Sequence, residues 1–254
     1  INEVVCGVFF APIEAIDPVL VGRFWQTQLP RFTKTQLLPA IPAGTAEQFI
    51  VELTPVPPLR TWLISDDDSR VMQIQADRFY LNWRSRGSAY PSFNSRGGGE
   101  VGLGAEVLEA WGKFAAFIKE QLGEMPSPAR VEMSMIDLLK QDRHWSSLED
   151  LQRVLPSLGP LLAGYSELPA ALSLQVEGEV SAGTRKIVIQ RGNMRDTRKH
   201  VIRVETTYRL KLEAAQQLEG AFSQAHSLLK ATFDDLIPKG EHLRFDDPNW
   251  RPPA

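Results

Sequence analysis

Residues 71–84 read VMQIQADRFYLNWR, and the apolar alternation changes parity part-way along. Met72, Ile74 and Ala76 hold one parity, whereas Phe79, Leu81 and Trp83 hold the other. A strand points alternate side chains to opposite faces, so it cannot change its core face without a turn or bulge. A break is therefore expected at Asp77–Arg78. FYLNWR at 79–84 is then a further strand, or the same strand continued past a bulge. RTWLIS at 60–65 and the turn DDDS lead into this run. Short alternating runs joined by tight turns predict antiparallel sheet with one buried face.

Other elements follow from period and punctuation. NEVVCGVFFA at 2–11 reads as a buried strand ended by Pro12. DPVLVGRFWQTQL at 17–29 reads as a helix, with Asp17 as cap, Pro18 in the first turn, and Val21, Phe24, Trp25 and Leu29 on one face. Residues 31–58 are rich in Pro and Thr, with one strand candidate, EQFIVELT at 47–54. AEVLEAWGKFAAFIKEQL at 105–122 is an amphipathic helix with Val107, Trp111, Phe114, Ile118 and Leu122 on its stripe. Further on, ARVEMSMID at 129–137 is a strand, and SSLEDLQRVL at 146–155 is a helix with an S-x-x-E/D cap. ALSLQVEGEV at 171–180 alternates. RKIVIQ at 185–190 and HVIRVETTYRLK at 200–211 form a hairpin in which Ile202, Val204, Thr206, Tyr208 and Leu210 share a face. Residues 213–237 form a long helix stopped by Pro238 and Gly240.

Each half thus reads β-α-β-β-β-α. The expected fold is α+β: two pseudo-repeated units, 1–124 and 125–254, of mostly antiparallel sheet with long helices on one face, packed as one body. A length of 254 residues accommodates this.

RGGGEVGLG at 96–104 contains G-x-G-x-x-G at Gly97, Gly99 and Gly102. A dinucleotide site needs that motif directly after a buried parallel strand, and an acidic residue at the end of the next strand. Here SAYPSFNSR precedes it, and the next strand ends only at Asp137. No G-K-[ST] follows, so a P-loop is excluded too. The glycines read as an entry to the helix at 105, whose free N–H groups could hold an anion in a generic way.

The single cysteine, Cys6, excludes an internal disulfide and reads as a small buried hydrophobe. His144, His200, His226 and His242 form no H-x-x-H or H-E-x-x-H pattern, and no G-x-S-x-G is present. No catalytic residue, metal ligand or cofactor is assigned. SDDDSR at 65–70 reads as a turn, since calcium-loop spacing is missing. No apolar run approaches the ~20 residues of a membrane span. VVCGVFF lacks the basic flank of a signal peptide, and a cytoplasmic protein is the expectation.

Charge singles out one segment. RKIVIQRGNMRDTRKHVIR, residues 185–203, holds seven basic residues against Asp196, in a chain of net charge −3. Arg191, Arg195, Arg198, Lys199 and Arg203 are the candidate contacts for a polyanion or an acidic partner. The bland reading is a solvated hairpin paired with acids such as Glu177 or Glu179. RFYLNWRSR at 78–86 is a second candidate: Arg78, Tyr80, Arg84 and Arg86 could stack bases, although core packing also accounts for its aromatics.

VMQIQADRFYLNWRSRGSAYPSF together with AHSLLKATFDDLIP resembles a sporadically distributed family of uncharacterised bacterial and archaeal proteins of about this length. The residues that carry the resemblance are Gln73, Gln75, Asp77, Arg78, Phe79, Asn82, Trp83, Arg84, Tyr90, Pro91, His226 and Phe233. It implies no enzyme activity. Its sporadic distribution is similar to that of horizontally moved genes, which often serve phage defence or toxin systems. The expected function is a non-enzymatic binding or scaffold protein engaging a protein partner, a second copy or nucleic acid, and no membrane. The alternative is a small-molecule receptor or enzyme with a cavity between sheet and helices, using Asp77, Arg84 and His226.

Overall fold

The structure is a computed structural model. It describes residues 1–41, 59–87, 90–94, 101–181, 183–195, 197–212 and 217–246. The strand candidate at 47–54, the glycine run at 96–100, Asp196 and residues 213–216 of the expected last helix lie outside the described residues.

The fold is α+β, and its strand pairs run antiparallel. The chain divides into two compact units. The N-terminal unit comprises Val5–Val131 and Leu212–Glu219; the C-terminal unit comprises Ile1–Val4, Glu132–Lys211 and Gly220–Ala254.

In the N-terminal unit the elements are β1 (Glu3–Phe10), α1 (Pro18–Gln28), β2 (Phe32–Pro39), β3 (Leu59–Ser65), β4 (Arg70–Gln75), β5 (Arg78–Arg84) and α2 (Leu103–Leu122). Neighbouring strands run in the order β2-β3-β4-β5-β1. A tight turn at Ala76–Asp77 accounts for the change of parity. Across it Gln75 faces Arg78, Ile74 faces Phe79 and Met72 faces Leu81, so both apolar sets share one face. Phe79 stacks on Phe114 of α2 at 5.2 Å and meets Trp111 at 5.9 Å. Phe10 of β1 meets Trp111 at 5.7 Å, and Phe24 of α1 meets Phe114 at 5.5 Å. Phe79, Leu81 and Trp83 are all buried, which makes them core. Asp17 caps α1 through a 2.7 Å bond from the Leu20 amide.

β2 falls in the stretch where no strand is expected before residue 47. Its side chains from Thr33 to Leu37 are exposed. This strand is held by backbone pairing to β3 rather than by side-chain burial, so it carries no hydrophobic period. The SDDDSR segment is the β3–β4 turn, as its residues suggest. Asp67 accepts from the Ser65 hydroxyl at 2.6 Å and the Ser69 amide at 3.0 Å, and these bonds hold its carboxyl down at about 2.

In the C-terminal unit the elements are β6 (Pro128–Lys140), which begins in the other unit, then α3 (Leu148–Val154), α4 (Gly159–Leu162), β7 (Ser173–Val180), β8 (Gly183–Asn193), β9 (His200–Lys211) and α5 (Leu218–Leu236). Neighbours run β6-β9-β8-β7. Ile189, Ile202 and Val204 pack with Leu151, Val154, Leu162 and Ile237, and Phe233 and Leu236 close over them. Tyr208 and Thr232 share a 2.8 Å hydroxyl bond that ties α5 to β9. Ser147 caps α3 by accepting from the Asp150 amide. β7 does not show the alternating burial its sequence suggests: it lies at the end of the strand order beside β8, Leu174 and Val180 are half-buried, and Val176 is 52% exposed.

Candidate functional site

β8 and β9 carry the basic run, and Met194–Lys199 forms the tip between them. The Met194 amide donates to the Lys199 carbonyl and the Arg198 amide to the Met194 carbonyl, both at 2.9 Å. Arg198 has φ 56°, in the left-handed region. Arg195, Arg198 and Lys199 are exposed. Lys199 Nζ lies 2.9 Å from Asp142 Oδ2. Among the described residues, Arg195 and Arg198 have no ion-pair partner.

The other two basic candidates sit back on the strands and are spent on holding them. Arg191 donates to the Leu168 carbonyl at 3.3 Å and to the Pro169 carbonyl, and its Nη2 lies 3.2 Å from His200 Nδ1. Arg203 pairs with Glu205. Of the acids expected to neutralise the hairpin, Glu177 does pair with one of its arginines, Arg209 of β9, although not with the basic run 185–203. Glu177 stands opposite Lys186 but accepts from Arg209 at 2.9 Å. Arg209 also holds Glu132 at 2.6 Å. Glu179 accepts a long 3.5 Å bond from Thr184.

The second basic candidate lies on the N-terminal unit, where its members serve different purposes. Arg78 is 5% exposed, and it donates to Asp77 through Nε at 2.9 Å and Nη2 at 2.7 Å. Burial alone would raise the Asp77 carboxyl, but the Arg78 bonds and charge, with Gln75, hold it below the usual range. Tyr80 is 3% exposed and meets Phe9 edge-on at 5.8 Å. A ring so enclosed cannot stack a base, which corrects its expected role. Arg84 lies over the Trp62 ring at 4.8 Å, and Arg60 lies over the same ring at 5.3 Å. Arg86 is exposed at the strand end.

Sequence reasoning missed what joins these side chains. Gln73 Oε1 accepts from Trp62 Nε1 and from Arg60 Nη1, both at 2.9 Å, and Gln73 Nε2 donates to Asn82 Oδ1 at 3.0 Å. Gln75 Nε2 donates to Asp77 at 2.7 Å and to the Ile41 carbonyl at 3.1 Å, while its Oε1 accepts from the Ile41 amide. Gln73, Gln75, Arg78 and Asn82 occupy the parity opposite to Phe79 and Leu81, so they form a polar network on the other sheet face. The signal was present as polar residues interleaved with apolar ones in strands whose two faces are both buried. The amides of Gln73 and Gln75 and the Arg78–Asp77 pair find partners within the layer, whereas the buried Arg60 Nε has none. A largely paired buried layer behaves as structure.

Of the alternative set, Asp77 and Arg84 flank opposite ends of β5, roughly 20 Å apart at strand rise, so these two do not meet; His226 belongs to the C-terminal unit. Burial, then the Lys230 charge, lowers the His226 pKa. Cys6 is fully buried, and burial followed by Glu106 raises its thiol pKa far above the ordinary value. A thiol held protonated is a poor nucleophile. Among the described residues no group of three His, Cys, Asp or Glu stands ready for a metal ion, and no helix is long and apolar enough to cross a membrane.

The start of α2 is not open to an anion, contrary to expectation. The Leu103 amide donates to the Ser92 carbonyl at 3.0 Å and the Gly104 amide to the Phe93 carbonyl at 2.9 Å. A Cβ on Gly104 would lie 3.0 Å from the Phe93 ring, so glycine there serves close chain packing. The first-turn carboxylate Glu106 is taken by Arg70 at 2.8 Å and by Arg31.

Geometry thus defines an α+β protein with a largely paired polar sheet face in one unit and an exposed cationic loop in the other. A scan against protein-family models finds no match, and a search of curated proteins finds none either.

Proposed function

We propose that the protein is a non-enzymatic binding or scaffold protein that engages an acidic protein or nucleic-acid partner through the tip of the β8–β9 hairpin. One observation carries this reading: Arg195 and Arg198 are exposed with no ion-pair partner among the described residues, beside Lys199. Unpaired exposed guanidiniums contribute little to folding and much to encounter with anions. The family resemblance supports a setting in a phage-defence or toxin-related assembly; a cytoplasmic location is part of the reading on the sequence ground that no signal-peptide pattern is present. An internal duplication is part of the same reading. Its support is the strand order β3-β4-β5-β1 in one unit and β7-β8-β9-β6 in the other, with β2 as the addition.

The test is a binding titration at low salt. Wild type and the Arg195→Gln/Arg198→Gln/Lys199→Gln variant are mixed with a labelled single-stranded DNA, a labelled duplex and a polyglutamate peptide. Wild type is expected to bind at least one of the three, and the variant to bind it weakly while melting at the wild-type temperature. Absence of binding to all three probes removes the reading.

A further inference from the structure

We propose that the tip is one half of a composite surface, completed by Lys140 and Arg143 of the 140–145 turn, that binds the phosphate backbone of a nucleic acid with Asp142 as a built-in competitor. This rests on the binding role proposed above and assigns it a partner class and further residues.

The two loops are fastened together. The Gln141 amide donates to the His200 carbonyl at 3.0 Å, and the His200 amide donates back to Gln141 Oε1 at 3.2 Å. One residue further along each loop, Lys199 and Asp142 form their ion pair. The turn closes on itself through the Asp142 amide to the Trp145 carbonyl at 2.8 Å, with Asp142 at φ 62°. The Gln141–His200 bonds set the turn that carries Lys140 and Arg143 against the base of the tip. Their charges are felt locally: burial first, then Arg143 and Lys140, depress the neighbouring His144 to about 4.

Chemistry selects the partner. The 140–145 turn and the 194–199 tip carry five cations, Lys140, Arg143, Arg195, Arg198 and Lys199, and one described carboxylate, Asp142; Lys140 and Arg143 are half-buried, and Arg143 makes a further contact of its own. None of the exposed large apolar side chains falls within 138–145 or 191–203 among the described residues. Protein interfaces draw their energy from buried aromatic and apolar anchors, which this surface lacks. Phosphate contacts need only cations and release counterions on forming. Arginine suits phosphate because its planar fork donates in pairs. The Lys199–Asp142 pair is half exposed on both sides, 51% and 52%, so an arriving phosphate can displace it.

The experiment measures affinity for a labelled oligonucleotide, single-stranded and duplex, across a salt series, with polyglutamate as the rival ligand. Two variants are compared with wild type, Lys140→Gln/Arg143→Gln and Asp142→Asn. Asparagine tolerates the left-handed turn position, so the second variant keeps the loop. Loss of two phosphate contacts flattens the log–log salt slope by about 1.4 for a single strand and about 1.8 for a duplex. Asp142→Asn removes the acid that competes for Lys199 and tightens binding at low salt, with the number of phosphate contacts unchanged. A wild-type slope in Lys140→Gln/Arg143→Gln together with wild-type affinity in Asp142→Asn overturns the composite surface; if the tip variant alone loses binding, the proposed function survives. Preference for polyglutamate overturns the nucleic-acid partner and leaves the binding role standing. Failure of every probe to bind wild type removes both.

Discussion

Two residues report most sharply on the packing of the N-terminal unit. Trp83 is 1% exposed and meets Tyr90 edge-on at 5.3 Å. Trp83→Ala leaves a large cavity and is expected to cost ~3–5 kcal/mol in denaturant unfolding. A loss under ~1 kcal/mol would place this side chain at the surface and give it a recognition role. Gly7 is small for a different reason. A Cβ there would stand 2.3 Å from Tyr80 Cε1, and that ring is buried against Phe9. Gly7→Ala must therefore displace Tyr80 and is expected to cost about 1–3 kcal/mol by overpacking. The double change Gly7→Ala/Tyr80→Leu should recover part of that loss. No recovery in the double variant would show that Tyr80 is not what confines residue 7.

At the scale of elements, the 140–145 turn makes a pH prediction. His144 Nδ1 accepts from the Lys140 amide at 2.9 Å, and its ring stacks on Phe245 at 5.2 Å. Folding keeps this imidazole neutral down to about pH 4, whereas its ordinary value is 6.5. The unfolded chain takes up the proton first, so acid favours unfolding. Stability is full above about pH 6.5 and falls by up to roughly 3 kcal/mol as pH drops towards 4. Urea melts at pH 7 and pH 5 should show the loss in wild type and a flatter dependence in His144→Gln. Equal pH dependence in both would exclude His144 as its source.

Elements differed in how plainly they were written in the sequence. α1, α2, α3 and the β8–β9 hairpin were legible because capping residues, apolar stripes and alternation agree in each. β2 was not, because an edge strand bound by its backbone needs no hydrophobic pattern. The parity change at Ala76–Asp77 was legible as a break. Which polar residues then met across the sheet depended on register, and Trp62 with Gln73 and Asn82 emerged only from the pairing of three strands. The tip cations were visible as a charge run. That Arg191 is spent on the 168–169 loop, and that the turn after β6 meets the base of the tip, depend on contacts remote in sequence.

On the scale of the whole molecule, cationic character is present in both units but in different chemical states. In the N-terminal unit, Arg78 is closed off by Asp77, and Arg60 and Arg84 lie on Trp62. In the C-terminal unit, Arg195 and Arg198 face solvent. A formal charge of −3 keeps the chain from attracting polyanions globally, so the proposed binding is expected to be local and strongly salt-dependent. The most direct measurement is nucleic-acid affinity against salt for the tip triple variant and for Arg84→Gln in parallel, with thermal melts of both. The expected result is a slope flatter by roughly 2–3 for the triple variant, an unchanged slope for Arg84→Gln, and wild-type melting for the triple variant. A flattened slope in Arg84→Gln with a wild-type slope in the triple variant would move the contact to the N-terminal sheet and contradict the role given to the tip.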